Sequence, residues 1–182
     1  MYDLRAAVAG WDTFYVIVGS SAAALTGLMF VVISLNRFSG MGTLEDRFLA
    51  VRAWGTPTVV HFGAALLVSA ILVSPIHTTI TLSLLVAACG VIGVGFVRWV
   101  SVQAKKVRVY QPIEDDWRWH RNIPLIAYTT LVVGAVLLWW RPDVGLTCAA
   151  AGVLLLLFIG IHNSWDAVLW NAIARQDADD KK

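Results

Sequence analysis

The chain has 182 residues, 58% of them hydrophobic and only 14% charged, with nine Trp and a positive mean hydropathy. A soluble domain of this length has no interior large enough for that much apolar side chain, so lipid must be the solvent, and no folded nucleic-acid-binding domain is in view. The net charge of +2 says little by itself, but its distribution along the chain sets a direction.

The first predicted span is residues 13–35, preceded by Trp11 and Asp12. Its 22 residues 14–35 carry no charge, and a helix of that length reaches roughly 33 Å, enough to cross a bilayer core. Gly19, Ala23 and Gly27 recur every four residues, and Ser20, Ser21 and Thr26 crowd beside them. A strip such as Gly19, Ser20, Ala23 and Gly27 lets a second helix approach to backbone distance, which is how helices associate once lipid removes the hydrophobic drive. Asp3 and a lone Arg5 do not make a basic leader, so the expectation here is a transmembrane helix rather than a cleavable signal.

A polar loop, 36–56, follows, in which Thr43 and Asp46 could cap a short interfacial helix with Phe48 and Leu49 on one side. The second span, 57–74, opens on Pro57, which the first turn of a helix tolerates. A tight turn at Pro75 leads to the third span, 80–100, with Gly90, Gly93 and Gly95. The loop 101–122 is the longest polar stretch, and its Glu114-Asp115-Asp116 could start a short interfacial helix. Residues 123–140 form the fourth span, Arg141-Pro142-Asp143 a tight turn, and 144–165 the fifth. That last helix should run on to about residue 174 within the tail, 166–182. Five spans cannot come from two equal halves, and no internal repeat stands out.

The predicted fold is therefore all-α, a single-domain polytopic membrane bundle of five transmembrane helices. Arg5 and Arg141 fall on one side of it; the remaining twelve of the 14 basic residues fall on the other. By the positive-inside rule the N-terminus is outside and the C-terminus cytoplasmic. Trp11, Trp139 and Trp140 then mark outer ends of spans, and Trp54, Trp99, Trp165 and Trp170 inner ends. Cys89 and Cys148 lie in apolar runs at different depths and read as small buried hydrophobes.

One polar constellation collects near the inner ends of the spans: Asn36, His61, Arg98, His162, Asn163 and Asp166. His162 and Asp166 are four apart, so they share a helix face where a carboxylate can orient an imidazole. Ionisable groups within spans are costly and point first to function, here an ion or proton site. Against this stands a structural reading, a network tying the first, second and fifth helices, since span ends are where polar side chains snorkel. His61 and His162 sit on different helices at similar depth, as bis-histidine haem would need, but nothing else supports haem and no cofactor or metal is expected. His77 reads as solvated and His120, between Trp119 and Arg121, as interfacial. No metalloprotease, serine-hydrolase, phosphate-loop or zinc spacing occurs, so no catalytic residue is assigned and the chain reads as non-enzymatic.

The block from Trp11 to Asn36, WDTFYVIVGSSAAALTGLMFVVISLN, resembles a family of small bacterial inner-membrane proteins often labelled "modulator of FtsH protease". The closing block Gly160-Ile161-His162-Asn163-Ser164-Trp165-Asp166 is similar to the ends of related uncharacterised membrane proteins. The resemblance implies a regulatory contact with a membrane protease and carries over no functional residue. Two functions follow from these readings. One is an accessory subunit that packs against itself, as a homo-oligomer, or against another membrane protein. The alternative is a homo-oligomeric ion channel or small transporter with the polar cluster at its cytoplasmic mouth and Ser20, Ser21, Thr26, Thr129 and Thr130 along its path.

Overall fold

The computed structural model describes residues 4–35, 55–75, 78–105 and 113–179, and all regular structure among them is helical. The helices are α1 (Leu4–Ala9), α2 (Asp12–Leu35), α3 (Thr56–Val73), α4 (Thr79–Ala104), α5 (Glu114–Trp117), α6 (Ile123–Leu137) and α7 (Pro142–Asp179), with a π-helical turn, Arg118–Asn122, joining α5 to α6. Thr43, Asp46 and His77 lie outside the described residues. Four helices are long and apolar enough to cross a membrane: Asp12–Val31, Thr56–Val73, Thr79–Ala104 and Pro142–Leu169.

The helix ends follow local chemistry. Pro57 sits in the first turn of α3, where a missing N–H costs nothing. Thr78 caps α4, its Oγ1 accepting the Thr81 N–H at 3.1 Å. The Asp116 carboxylate accepts the Ile113 N–H at 2.9 Å and closes the start of α5. The helix expected over 123–140 ends earlier, at Leu137. Trp139 and Trp140 donate to carbonyls only three residues back, at 3.3 and 3.1 Å. The cause is Pro142: the residue before a proline is pushed out of the helical region, while the proline itself is suited to start α7. In the other direction, α7 continues well beyond residue 165, as expected, to Asp179.

Within the bundle α6 is seated between α4 and α7, α3 lies against α7, and α2 lies against α3. Several of these approaches require glycine, and two of them admit an aromatic ring. A Cβ at Gly93 of α4 would overlap the Tyr128 ring, and one at Gly160 of α7 would overlap Phe62. The core is a column of side chains at helical spacing: Phe62, Ala65, Val68 and Leu72 from α3, and Leu146, Val153, Leu156 and Ile159 from α7. The outer surface is equally apolar. Ile17, Phe30, Leu84, Ile92 and Phe158 are all exposed, a surface suited to hydrocarbon and far too extensive for water.

Helix α6 is short, but its contacts reach far. Gly134 abuts Gly145 near the start of α7, and Trp119, just before α6, packs tilted against His162 with ring centroids 3.7 Å apart. Gly145 and His162 are 17 positions apart, so the α5–α6 run accompanies α7 over ~26 Å.

Candidate functional site

The first turns of α3 and α6 and the middle of α7 meet the π-helical turn in a polar group held inside an otherwise apolar bundle. His61 lies in the second turn of α3 and is fully buried, at 0% exposure. Its Nδ1 is 3.0 Å from the Tyr128 hydroxyl on α6. The tautomer decides which of the two donates. Buried Tyr hydroxyls need a partner, and here the need is met across two helices. The second nitrogen of His61, Nε2, has no hydrogen-bond partner among the described residues.

On α7, His162 and Asp166 form the pair their spacing predicts, with Nδ1 and Oδ2 3.0 Å apart. The carboxylate side is exposed and the imidazole half-buried beneath Trp119. Asn163, next to His162, is 3% exposed, and neither its amide nitrogen nor its oxygen is hydrogen-bonded among the described residues. A buried polar group without a partner costs about 1–3 kcal/mol. Two such groups, His61 Nε2 and the Asn163 amide, at one end of the bundle are unusual in a folded chain.

His120 joins this group from the π turn. Its Nδ1 donates to the Asp116 carbonyl at 3.2 Å, and it lies in electrostatic range of His61, His162 and Asp166. Burial holds its pKa below the ordinary imidazole value; the nearby Asp116 and Asp166 carboxylates pull it upward, and His162 pushes it down. No group of three or more His, Cys, Asp or Glu side chains among the described residues is arranged to hold a metal ion.

The structure therefore brings together His61, His162, Asn163 and Asp166 of the residues singled out in the sequence. Arg98 is exposed on α4 and makes no ion pair among the described residues. Asn36, expected at the same level, lies outside them. Sequence reasoning missed Tyr128, Trp119 and the inward placement of His120. A signal for Tyr128 existed, since a phenol in the middle of an apolar run implies a buried acceptor or donor nearby. Nothing in the sequence announced the π turn that rotates Trp119 and His120 inward.

At the opposite end of the bundle the Tyr15 hydroxyl donates to the Leu146 carbonyl at 3.0 Å, pinning α2 to the start of α7. The small-residue strip on α2 divides. Gly19 is buried, a Cβ there lying 3.0 Å from Ser69 of α3. Ser20, Ala23 and Gly27 are exposed, and a Cβ at Gly27 would meet nothing within 4 Å. Helix α2 instead packs inward through Tyr15, Val18, Ala22 and Met29. Of the hydroxyls a pore would use, Thr26 and Thr130 donate to carbonyls one turn back, those of Ala22 and Ile126. Thr129 and Thr130 line a shallow groove on the outside of α6 with Leu125, Ile126, Val133 and Cys148.

No family model, curated protein or solved structure matches the chain.

Proposed function

We propose that this chain is a non-enzymatic accessory subunit of the bacterial inner membrane, which docks a transmembrane helix of a second protein, or of another copy of itself, on the outward strip of α2. The observation that carries this reading is that Ser20, Ala23 and Gly27 are left uncovered by the bundle's own packing. In lipid, a small-residue face gains nothing by facing acyl chains, and it offers close backbone contact to another helix. The likeness of the opening block to modulators of a membrane protease makes such a protease the first partner to test.

The proposed topology has five crossings, with α6 as the fourth, the N-terminus outside and the C-terminus in the cytoplasm. Support for the fifth crossing comes from the ~26 Å over which the α5–α6 run accompanies α7; support for the direction comes from the twelve basic residues on one side. The channel reading is the weaker one, because the Thr26 and Thr130 hydroxyls are satisfied by their own helix.

Copurification from native membranes tests the docking surface. The wild-type chain is expected to retain a partner or a second copy, and so is His162→Ala. Gly27→Leu, which adds bulk where the protomer has room for it, is expected to lose it. Retention by Gly27→Leu at the wild-type level would remove α2 as the docking face.

A further inference from the structure

We propose that the crossing of α3 and α7 is a binding site for an internal water molecule, which joins His61 Nε2 to the Asn163 side-chain amide. The site is independent of docking on α2.

The two helices run in opposite directions. Tyr15, near the start of α2, bonds Leu146 near the start of α7, and Gly19, one turn along α2, meets Ser69 near the end of α3. Helices α3 and α7 touch at Gly160, where a Cβ would lie 2.7 Å from two carbons of the Phe62 ring. His61 stands one residue before Phe62, and Asn163 stands three residues after Gly160. Because the helices are antiparallel, both lie on the same side of that contact, and they differ in depth by only ~3 Å. Both also face inward. His61 is four and seven residues before Ala65 and Val68, and Asn163 is four and seven after Ile159 and Leu156, all four at 0% exposure. Each polar residue therefore stands at the foot of an apolar column on its own helix, and the two columns pack against each other.

The chemistry of the unsatisfied atoms selects the ligand. His61 Nδ1 is taken by the Tyr128 hydroxyl at 3.0 Å, so Nε2 needs a donor or an acceptor according to the tautomer. Asn163 is 3% exposed and needs a donor for its oxygen and acceptors for its nitrogen. A cation would suit the Asn163 oxygen and leave its N–H groups unpaired; an anion would do the reverse, and an acyl chain would satisfy neither. Water donates and accepts in one molecule. Three polar atoms from two helices also match the about three hydrogen bonds that a buried water ordinarily makes. Filling the site removes the desolvation cost of all three atoms and links α3 to α7 where their apolar columns give out. Supply is close at hand. Asp166, ~4.5 Å further along α7, has an exposed carboxylate, so water reaches Asn163 from the polar end of the bundle without crossing its lipid-facing surface.

Water-edited solid-state NMR on the 15N-labelled full chain, in liposomes of deuterated lipid, tests the site. At short mixing times the His61 ring and the Asn163 side-chain amide are expected to receive magnetisation from water several-fold faster than the backbone amides of Leu156 and Ile159 in the column above. Transfer to both side chains at the slow rate of the column would mean a dry crossing and would overturn the proposal. Fast transfer to Asn163 with slow transfer to His61 would overturn it too, since water would then stop short of the imidazole. A scalar coupling across a direct hydrogen bond between His61 Nε2 and the Asn163 amide nitrogen would put protein in the place of the water, with the same consequence. Asn163→Leu removes one side of the bridge and is expected to slow transfer to His61 to the rate of the column. A His61 rate unchanged in that variant would show that Asn163 holds no shared water. The measurements on the unmodified chain decide the matter even where the variant does not fold.

Discussion

Replacing Tyr128 by Phe removes one oxygen from the centre of the bundle and leaves its shape intact. The hydroxyl is the only hydrogen-bond partner of the His61 ring among the described residues. Without it a fully buried imidazole has neither nitrogen bonded to protein, a loss of about 1–3 kcal/mol by the cost of an unsatisfied buried group. Polar contacts between membrane helices are often worth less, about 0.6 kcal/mol on average and up to about 1.7, because separated helices in lipid find other partners. His61 is enclosed by protein on all sides, which favours the upper part of that range, so Tyr128→Phe is expected to destabilise by about 1–2 kcal/mol. His61→Leu alone leaves the phenol unpartnered and should cost a similar amount. The double variant removes both polar groups at once and should fall well short of the sum, with a coupling of about 1 kcal/mol. Reversible unfolding in mixed lipid–detergent micelles measures all four corners of this cycle. Additivity within about 0.3 kcal/mol would show that the 3.0 Å contact holds nothing together.

Gly93→Ala drives a methyl group into the Tyr128 ring and is expected to destabilise by about 1–3 kcal/mol in the same unfolding assay. Gly27→Leu touches nothing in the protomer and replaces a poor helix former, so it should leave monomer stability unchanged or raise it by less than about 1 kcal/mol. Topology is read by labelling single cysteines after both native ones are replaced by Ala: Pro75→Cys should react from outside the cell and Asp115→Cys only from the cytoplasm. Stability should also depend on pH in a defined direction. Burial lowers the His120 pKa in the folded chain, so stability is unaffected above the ordinary imidazole value. As pH falls through that value the unfolded chain takes up a proton that folded His120 resists. Stability therefore drops until the folded residue itself protonates, and His120→Gln should flatten this dependence, as read from unfolding midpoints.

Much of the architecture was legible because lipid imposes a simple rule: long uncharged runs bounded by polar turns become helices. The spans from Pro57, from Ile80 and from Val144 could be placed within a few residues by that rule alone. The end of α6 was overrun because Leu138, Trp139 and Trp140 are as apolar as the helix before them; Pro142, five residues past Leu137, was the controlling signal. The His162–Asp166 pair followed from i,i+4 spacing within one helix. The His61–Tyr128 contact did not, because it joins positions 67 apart whose meeting depends on Gly93 admitting the Tyr128 ring against α4. For the same reason the α2 strip was legible as a packing surface but not as a divided one. Which of its residues face α3 depends on the rotation of α2, and that is set by Tyr15 reaching Leu146.

Photo-crosslinking in living membranes tests docking on α2 most directly. A crosslinking amino acid is placed at Ala23, on the outward strip, and in a second chain at Leu84, an exposed position on α4. Protein adducts at Ala23 with lipid adducts alone at Leu84 are the predicted result. Lipid adducts alone at both positions would mean that α2 faces the bilayer like the rest of the bundle, and that its small-residue strip docks no partner.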